Sequence, residues 1–359
     1  MRWCTLLVTL IGCGFTPASS SDANRGDGNG PDAAIDAPPD AYVPPTSPRT
    51  ITIHANAATA LANIPILVAL DPSRIDYAQV ADPDTDLEFD SPTLTKLFYD
   101  VESWNPGGVS AVWVLVPAIP TTNTTLTMSW GHNLGTSNPI MTWSNYEAVL
   151  HGDAPLVDPS GPFYTPAGIN VTAPDGRAGK AIGFAGTGDN RVTFANGDQL
   201  FAQWPAFTLQ FWIYADYPSL AAYSGQKQIM DEGGPLNLGR FYPSANGVDL
   251  TLQVDLHFTG NNNAFLHADV PLRTWTQIAY VFTGTALRMF ENGAQVGIFT
   301  MAGGNNEDLV SPTGSFMLGS SNDSFAGALD ELEIEQRAHN VDWIHTQYLA
   351  MSGQLLTWN

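Results

Sequence analysis

From Arg49 onward, apolar residues recur at alternate positions in short runs, and Pro, Gly and Asn break those runs at regular spacing. Ile51-Thr52-Ile53-His54 alternates as a strand does, and Ala111 to Pro117 and Thr124 to Gly131 continue the pattern. Near the other end, Leu318 to Ile334 reads as strand, polar turn, strand, and a short helical run follows from Asn340 to Ala350. Asn292-Gly293 lies between two strand patterns and is a two-residue hairpin signal that requires positive φ at both positions. A chain written this way folds as an all-β protein, and 359 residues hold two or three such units.

What holds these units together follows from composition. Cys4 and Cys13 are the only cysteines, so the folded region contains no disulfide and rests on core burial. The chain is 44% hydrophobic, enough for that core. Its 35 acidic and 13 basic side chains give a net charge of −22. Nucleic acid is thereby a poor partner, because displacing counterions from a polyanion needs clustered Lys and Arg, and the lysines are only Lys96, Lys180 and Lys227. The acidic balance suits an exported surface protein or one that holds a cation.

The N-terminus reads as a targeting segment. Arg2 precedes the apolar run Cys4 to Gly12, which is too short to span a membrane. It ends in Leu10-Ile11-Gly12-Cys13, which resembles a bacterial lipobox. The resemblance implies lipidation of Cys13. Gly14, standing where an inner-membrane retention aspartate would be, implies an outer-membrane or outer-surface anchor. An ordinary secretory signal is the alternative, and export follows either way. Residues 14–48, rich in Asp, Pro and Gly, lack the apolar surface to offset their ordering entropy and read as a tether.

Residues 49–138 read as a first β-sandwich. Asp86 to Asp90, Glu102-Ser103-Trp104, Val112 to Pro117 and Ser129-Trp130-Gly131 resemble, in order, the motifs of a bacterial surface-domain family of unknown function. That family implies no chemistry. Asp82, Asp84, Asp86, Glu88 and Asp90 recur with period two, which on one strand gives either a cation-binding carboxylate row or a solvated face with Leu87 and Phe89 inside.

Residues 146–359 read as a second unit. Gly176 to Gly186, Phe207 to Tyr214, the Asn292-Gly293 turn and Leu318 to Ile334 resemble, in order, a laminin-G-like, concanavalin A-like jelly roll. The resemblance implies two packed antiparallel sheets and recognition of an extracellular glycan or protein. It also implies a structural calcium at Asp330, where a hydrogen-bonded backbone cap is the alternative; Asp189 and Asp323 are lesser candidates in turns. Laminarinase-like glycosidases share this jelly roll and carry a Glu-x-Asp-x-(x)-Glu strand. Here Glu331, Glu333 and Glu335 alternate with Leu332 and Ile334, but Glu333 stands in the aspartate's place. A charged, solvated sheet face is the plainer expectation for that strand.

Three features complete the set of candidates. Tyr214, Tyr217 and Tyr223 could form a sugar-stacking platform, with Asn262 and Asn263 adding amide groups. Trp204, Trp212, Trp275, Phe282 and Phe290 read as core. The seven histidines are scattered and form no zinc motif. The sequence thus points to a lipid-anchored surface protein that binds a glycan or protein without catalysis. A glycoside hydrolase or lyase acting from the glutamate strand, or an envelope spacer, is the alternative.

Overall fold

The computed structural model describes residues 48–131, 133–231, 236–260, 262–302, 306–311 and 314–359. The expected leader with Cys13, the tether up to residue 47, His132 and Asn261 lie outside the described residues. The regular structure of the described chain is nearly all strand, as its alternation requires.

The N-terminal lobe has two small antiparallel sheets. Arg49–Ile53, Thr124–Trp130 and Leu87–Asp90 form one, and Leu356–Trp358, from the other end of the chain, adds to its edge. Leu61–Leu70, Ser110–Ile119 and Tyr99–Ser103 form the other. Pro65 stands on an edge strand of that sheet, as a residue without an N–H requires.

The expected carboxylate row does not form on a single strand. Asp82 caps a short helix, Pro83–Asp86, in which Pro83 occupies the first turn. Asp86 turns inward and accepts backbone N–H bonds from Ala81, Asp82 and Asn133. Leu87–Asp90 then forms a strand with Leu87 and Phe89 inside.

Two larger sheets form the jelly roll. One runs Asn263–Val270, Leu250–His257, Leu236–Pro243, Lys227–Asp231, Met317–Ser320, Asn190–Phe194, Pro166–Ile169. The other runs Ala294–Thr300, Ala286–Glu291, Thr276–Phe282, Phe207–Ala215, Ala326–Glu335, Ala148–Leu150, with Ile182–Ala185 also on Ala326–Glu335. Asn292 and Gly293 take φ of 49° and 75° and close the hairpin between Ala286–Glu291 and Ala294–Thr300. The facing sides of the two sheets share one core, including Phe211, Ile213, Tyr280, Leu252, Phe241 and Leu318.

The outer face of the second sheet is not left to water. Trp212, Ala279, Val281 and Phe290 on that face join a second core with Trp113 and Trp143, and with Trp343 and Ile344 of helix Val341–Met351. Asn340 caps this helix by accepting the Trp343 N–H at 2.8 Å. Fully buried side chains of this size are worth roughly 1.5–3 kcal/mol each. The N-terminal lobe therefore shares its largest apolar groups with the jelly roll.

One irregularity decides the placement of the acidic strand. Glu333 pairs with Gln210 but Asp330 pairs with Trp212, so two residues of one strand oppose one of the other. Glu331, in this bulge, has φ +49°. The extra residue lets Leu329 and Leu332 both join the core despite their odd spacing. Asp330 was expected on the core side with Leu332. The bulge instead puts it opposite Trp212, on the outer face.

Candidate functional site

The glutamates of this strand were expected in solvent, and the structure buries them together with Asp330. Asp330, Glu331, Glu333 and Glu335 are between 1% and 5% exposed, because the N-terminal lobe and helix Val341–Met351 cover them. The space left beside Glu331 and Glu333 is ≈ 10 Å³, room for about one water. No sugar ring fits in that space.

The buried groups are organised instead. Gln210 Nε2 donates to Glu333 Oε2 at 2.7 Å, and His151 Nδ1 lies 2.7 Å from Glu331 Oε2. Trp113 Nε1 donates to Glu102 Oε2 at 2.9 Å, and Trp143 Nε1 to Asp100 Oδ2 at 2.8 Å. Burial, then the Glu331 carboxylate, pushes Glu102 well above the ordinary carboxylate range. Burial, then Asp330, does the same to Glu331. Burial lifts Glu333 to about 7 against the lowering effect of Gln210. Burial by itself lowers the His151 imidazole, but the surrounding carboxylates of Asp100 and Glu102 outweigh it and carry it up to about 9.

Asp330 acts as a backbone cap. Its Oδ2 accepts the N–H groups of Arg177 and Ala178 at 2.5 and 3.1 Å, and its Oδ1 accepts that of Glu331 at 3.1 Å. This ties the 176–180 segment to the sheet. Arg177 then reaches over Trp212, 4.9 Å from the ring centre, and donates to the Met351 carbonyl. Asp189 pairs with Arg191 at 3.1 Å, and Asp323 lies exposed in a turn whose N–H bonds Ser320. Among the described residues neither joins Asp330 in a convergent His, Cys, Asp or Glu group.

The expected tyrosine platform is also rearranged. Tyr217 and Tyr223 are each 7% exposed, pack edge to face at 5.2 Å, and belong to the core. Tyr217 Oη accepts the Ala326 N–H and Tyr223 Oη donates to the Phe241 carbonyl. Both lie beyond the end of strand Phe207–Ala215. Asn262 bonds Glu307 and Asn263 begins an edge strand, and neither lines the cleft that holds Tyr214.

Tyr214 remains at the surface and is joined by Trp275, a residue the alternation assigns to the core. Their ring centres are 5.5 Å apart at 47°. The pair lines a cleft of ≈ 680 Å³ on the outer face of the second sheet, the same face that bears Trp212. Strand order fixes its construction. The small residues Gly183, Ala185, Gly327 and Ala328 form its floor, because Ile182–Ala185 and Ala326–Glu335 are neighbours. Gly327 is required there: at φ +151°, an added Cβ would lie 2.0 Å from the Tyr214 carbonyl oxygen. Asn170, Thr172 and Asp175 border one side, and Tyr214, Asp216 and Trp275 the other. Asp175 pairs with Lys180 at 2.6 Å and Asp216 with Arg273 at 2.9 Å, so the rim carries polar groups but little net charge. Sequence reasoning missed Trp275, Asp175 and Asp216. The available signal was position: Trp275 stands at a strand's start rather than inside it, and Tyr214 shares the parity of Trp212.

Comparison with known proteins agrees with the architecture. Residues 186–345, within the jelly roll, match the laminin G-type model of the concanavalin A-like lectin/glucanases superfamily. No curated protein matches the chain. Among solved structures, the binding domain of Paraclostridial Mosquitocidal Protein 1 is 13% identical with a TM-score of 0.46, over 57% of this chain and 52% of that one. The Botulinum neurotoxin serotype D binding domain is 14% identical with a TM-score of 0.45, over 60% and 53%. Domain 4 of AbnA, a GH43 extracellular arabinanase from Geobacillus stearothermophilus, solved with arabinotriose, is 17% identical with a TM-score of 0.43, over 57% and 98%. The chain thus spans about half the length of the first two structures.

Proposed function

We propose that this chain is a non-catalytic binding protein that recognises a neutral extracellular polysaccharide in the Tyr214–Trp275 cleft. The observation that carries the reading is the half-buried aromatic pair beside a floor of glycine and alanine, bordered by Asn170, Thr172, Asp175 and Asp216. A sugar ring has an apolar face for an aromatic wall and hydroxyls for carboxylate and amide groups. The superfamily matched by residues 186–345 takes its description from lectins and glucanases, which supports a carbohydrate ligand. The net charge of −22 disfavours a polyanionic glycan. The leader pattern ending in Cys13 supports an exported, lipid-anchored protein acting from the bacterial surface.

The test is affinity electrophoresis and titration calorimetry of the full chain against a panel of neutral and acidic polysaccharides. Binding to at least one neutral polysaccharide is expected, and Trp275→Ala weakens it about 5- to 30-fold, corresponding to ~1–2 kcal/mol for one stacked ring. The same variant keeps the wild-type unfolding midpoint within about 2 °C, because Trp275 is only partly buried. Absence of binding across the panel, or binding that both Trp275→Ala and Tyr214→Ala leave unchanged, overturns the assignment.

A further inference from the structure

We propose that Glu102, His151 and Glu331 form a binding site for one divalent transition-metal ion, of the Zn²⁺ or Mn²⁺ class, between the N-terminal lobe and the jelly-roll sheet. Each offers one ligand atom, and these atoms lie within 4.8 Å of one another. Small rotations of the two glutamates bring such a set onto an ion at ~2.0–2.2 Å. The ligands come from three distant segments: strand Tyr99–Ser103, the turn after strand Ala148–Leu150, and the bulge in strand Ala326–Glu335. Their side chains are 0%, 9% and 1% exposed.

Independent features point to a ligand rather than to a satisfied polar network. Oε1 of Glu102 and Oε1 of Glu331 receive no N–H or hydroxyl donor although both are buried, and the two carboxyl groups lie within reach of each other. A buried group of this kind is costly if left unpaired. The surroundings hold the ligands in place. Trp113 fixes Glu102 through its second oxygen, and Trp143 fixes Asp100, whose Oδ2 lies 3.5 Å from His151 Nε2. Carboxylates oriented in this way behind a histidine are the usual outer support of a metal ligand. Among the described residues no lysine or arginine forms a salt bridge with Glu102, Glu331 or Glu333. A cleft of ≈ 740 Å³ lies nearby, lined by Ser103, which follows Glu102, by Asp153, two residues after His151, and by Ala178, whose N–H donates to Asp330.

One imidazole and two carboxylates suit Zn²⁺ or Mn²⁺ better than Ca²⁺, which prefers six to eight oxygens. The bulge supplies the geometry. Regular pairing at Glu331 would place that side chain elsewhere on the sheet, and positive φ at this residue aims it at His151.

To test the assignment, the full chain is unfolded in urea with EDTA and refolded with Zn²⁺, with Mn²⁺ or without metal. It is then gel-filtered and its metal content measured by mass spectrometry. About one retained ion per chain is expected with one of the two metals, with a midpoint several degrees above the metal-free form. Refolding with Co²⁺ adds a visible d–d absorption band reporting nitrogen and oxygen ligands. Glu102→Gln and His151→Gln should each lower the retained ion at least tenfold while circular dichroism stays wild-type. Glu102→Gln still accepts the Trp113 bond, so it guards against a variant that merely unfolds. The exposed control Asp323→Asn should retain the ion. Less than a tenth of an ion per refolded chain, or full retention in both ligand variants, overturns the site and leaves a cluster that shares protons.

Discussion

Replacing Asp330 by alanine should destabilise the folded chain by about 3–4 kcal/mol, whereas Asp330→Asn should cost about 1 kcal/mol. The difference follows from what Asp330 holds. Its Oδ2 accepts two buried backbone N–H groups, from Arg177 and Ala178, and its Oδ1 accepts the N–H of Glu331. Alanine leaves the first two without an acceptor, at roughly 1–3 kcal/mol each, and adds a small void. Relief of carboxylate burial returns little. Burial, with Glu102 adding to it, pushes the Asp330 carboxyl well above its ordinary value, against the lowering effect of the Ala178 and Arg177 N–H groups. Asparagine keeps an oxygen for Arg177 and Ala178 but presents an NH₂ to the Glu331 N–H, a clash of donors worth about 1 kcal/mol. The assay is urea unfolding of the full chain in EDTA, followed by tryptophan fluorescence, with the slope m checked for constancy so that the midpoint shift reads stability. Equal losses in the two variants would refute the cap. So would a calcium-dependent gain in wild type that Asp330→Ala removes, which would make Asp330 a calcium ligand.

Two further outcomes can be measured directly. Burial, outweighing the bonds from Ser160 and the Val149 N–H, lifts the Asp158 carboxyl from 3.8 to about 6. Because the folded-state value is the higher one, the folded form binds the proton more tightly. Stability should therefore fall as the pH rises from about 4 to about 6, by up to ~3 kcal/mol, and Asp158→Asn should flatten that part of the profile in thermal unfolding. In cells, Cys13→Ser should move the chain from the membrane fraction to the soluble exported fraction, read by fractionation and by loss of incorporated labelled palmitate; an unchanged distribution would count against the anchor.

Much of the fold was legible because its signals are local. Alternation over a few residues commits a segment to a strand, Asn292-Gly293 commits two strands to a hairpin, and Asn340 opens the longest helix among the described residues. The order of the jelly-roll motifs carried the second half of the chain. The binding residues were far less legible. Tyr214 was correctly placed at a strand's end, but Tyr217 and Tyr223 were separated from it by burial, and Trp275 was joined to it by strand order across the sheet.

The glutamate strand marks the boundary between the two kinds of information. Period two states that Glu333 and Glu335 share a face, and they do. It does not state what lies over that face. The N-terminal lobe covers it, so groups that read as solvated are buried, and His151 meets Glu331 across 180 positions of sequence. A single-residue bulge at Glu331 also reverses the parity of Asp330, and the pairing partner that exposes this bulge lies more than a hundred residues away. Local alternation determines which residues travel together on a face. Only the tertiary structure decides whether water, a second lobe or a ligand meets that face, because burial is a property of the covering surface.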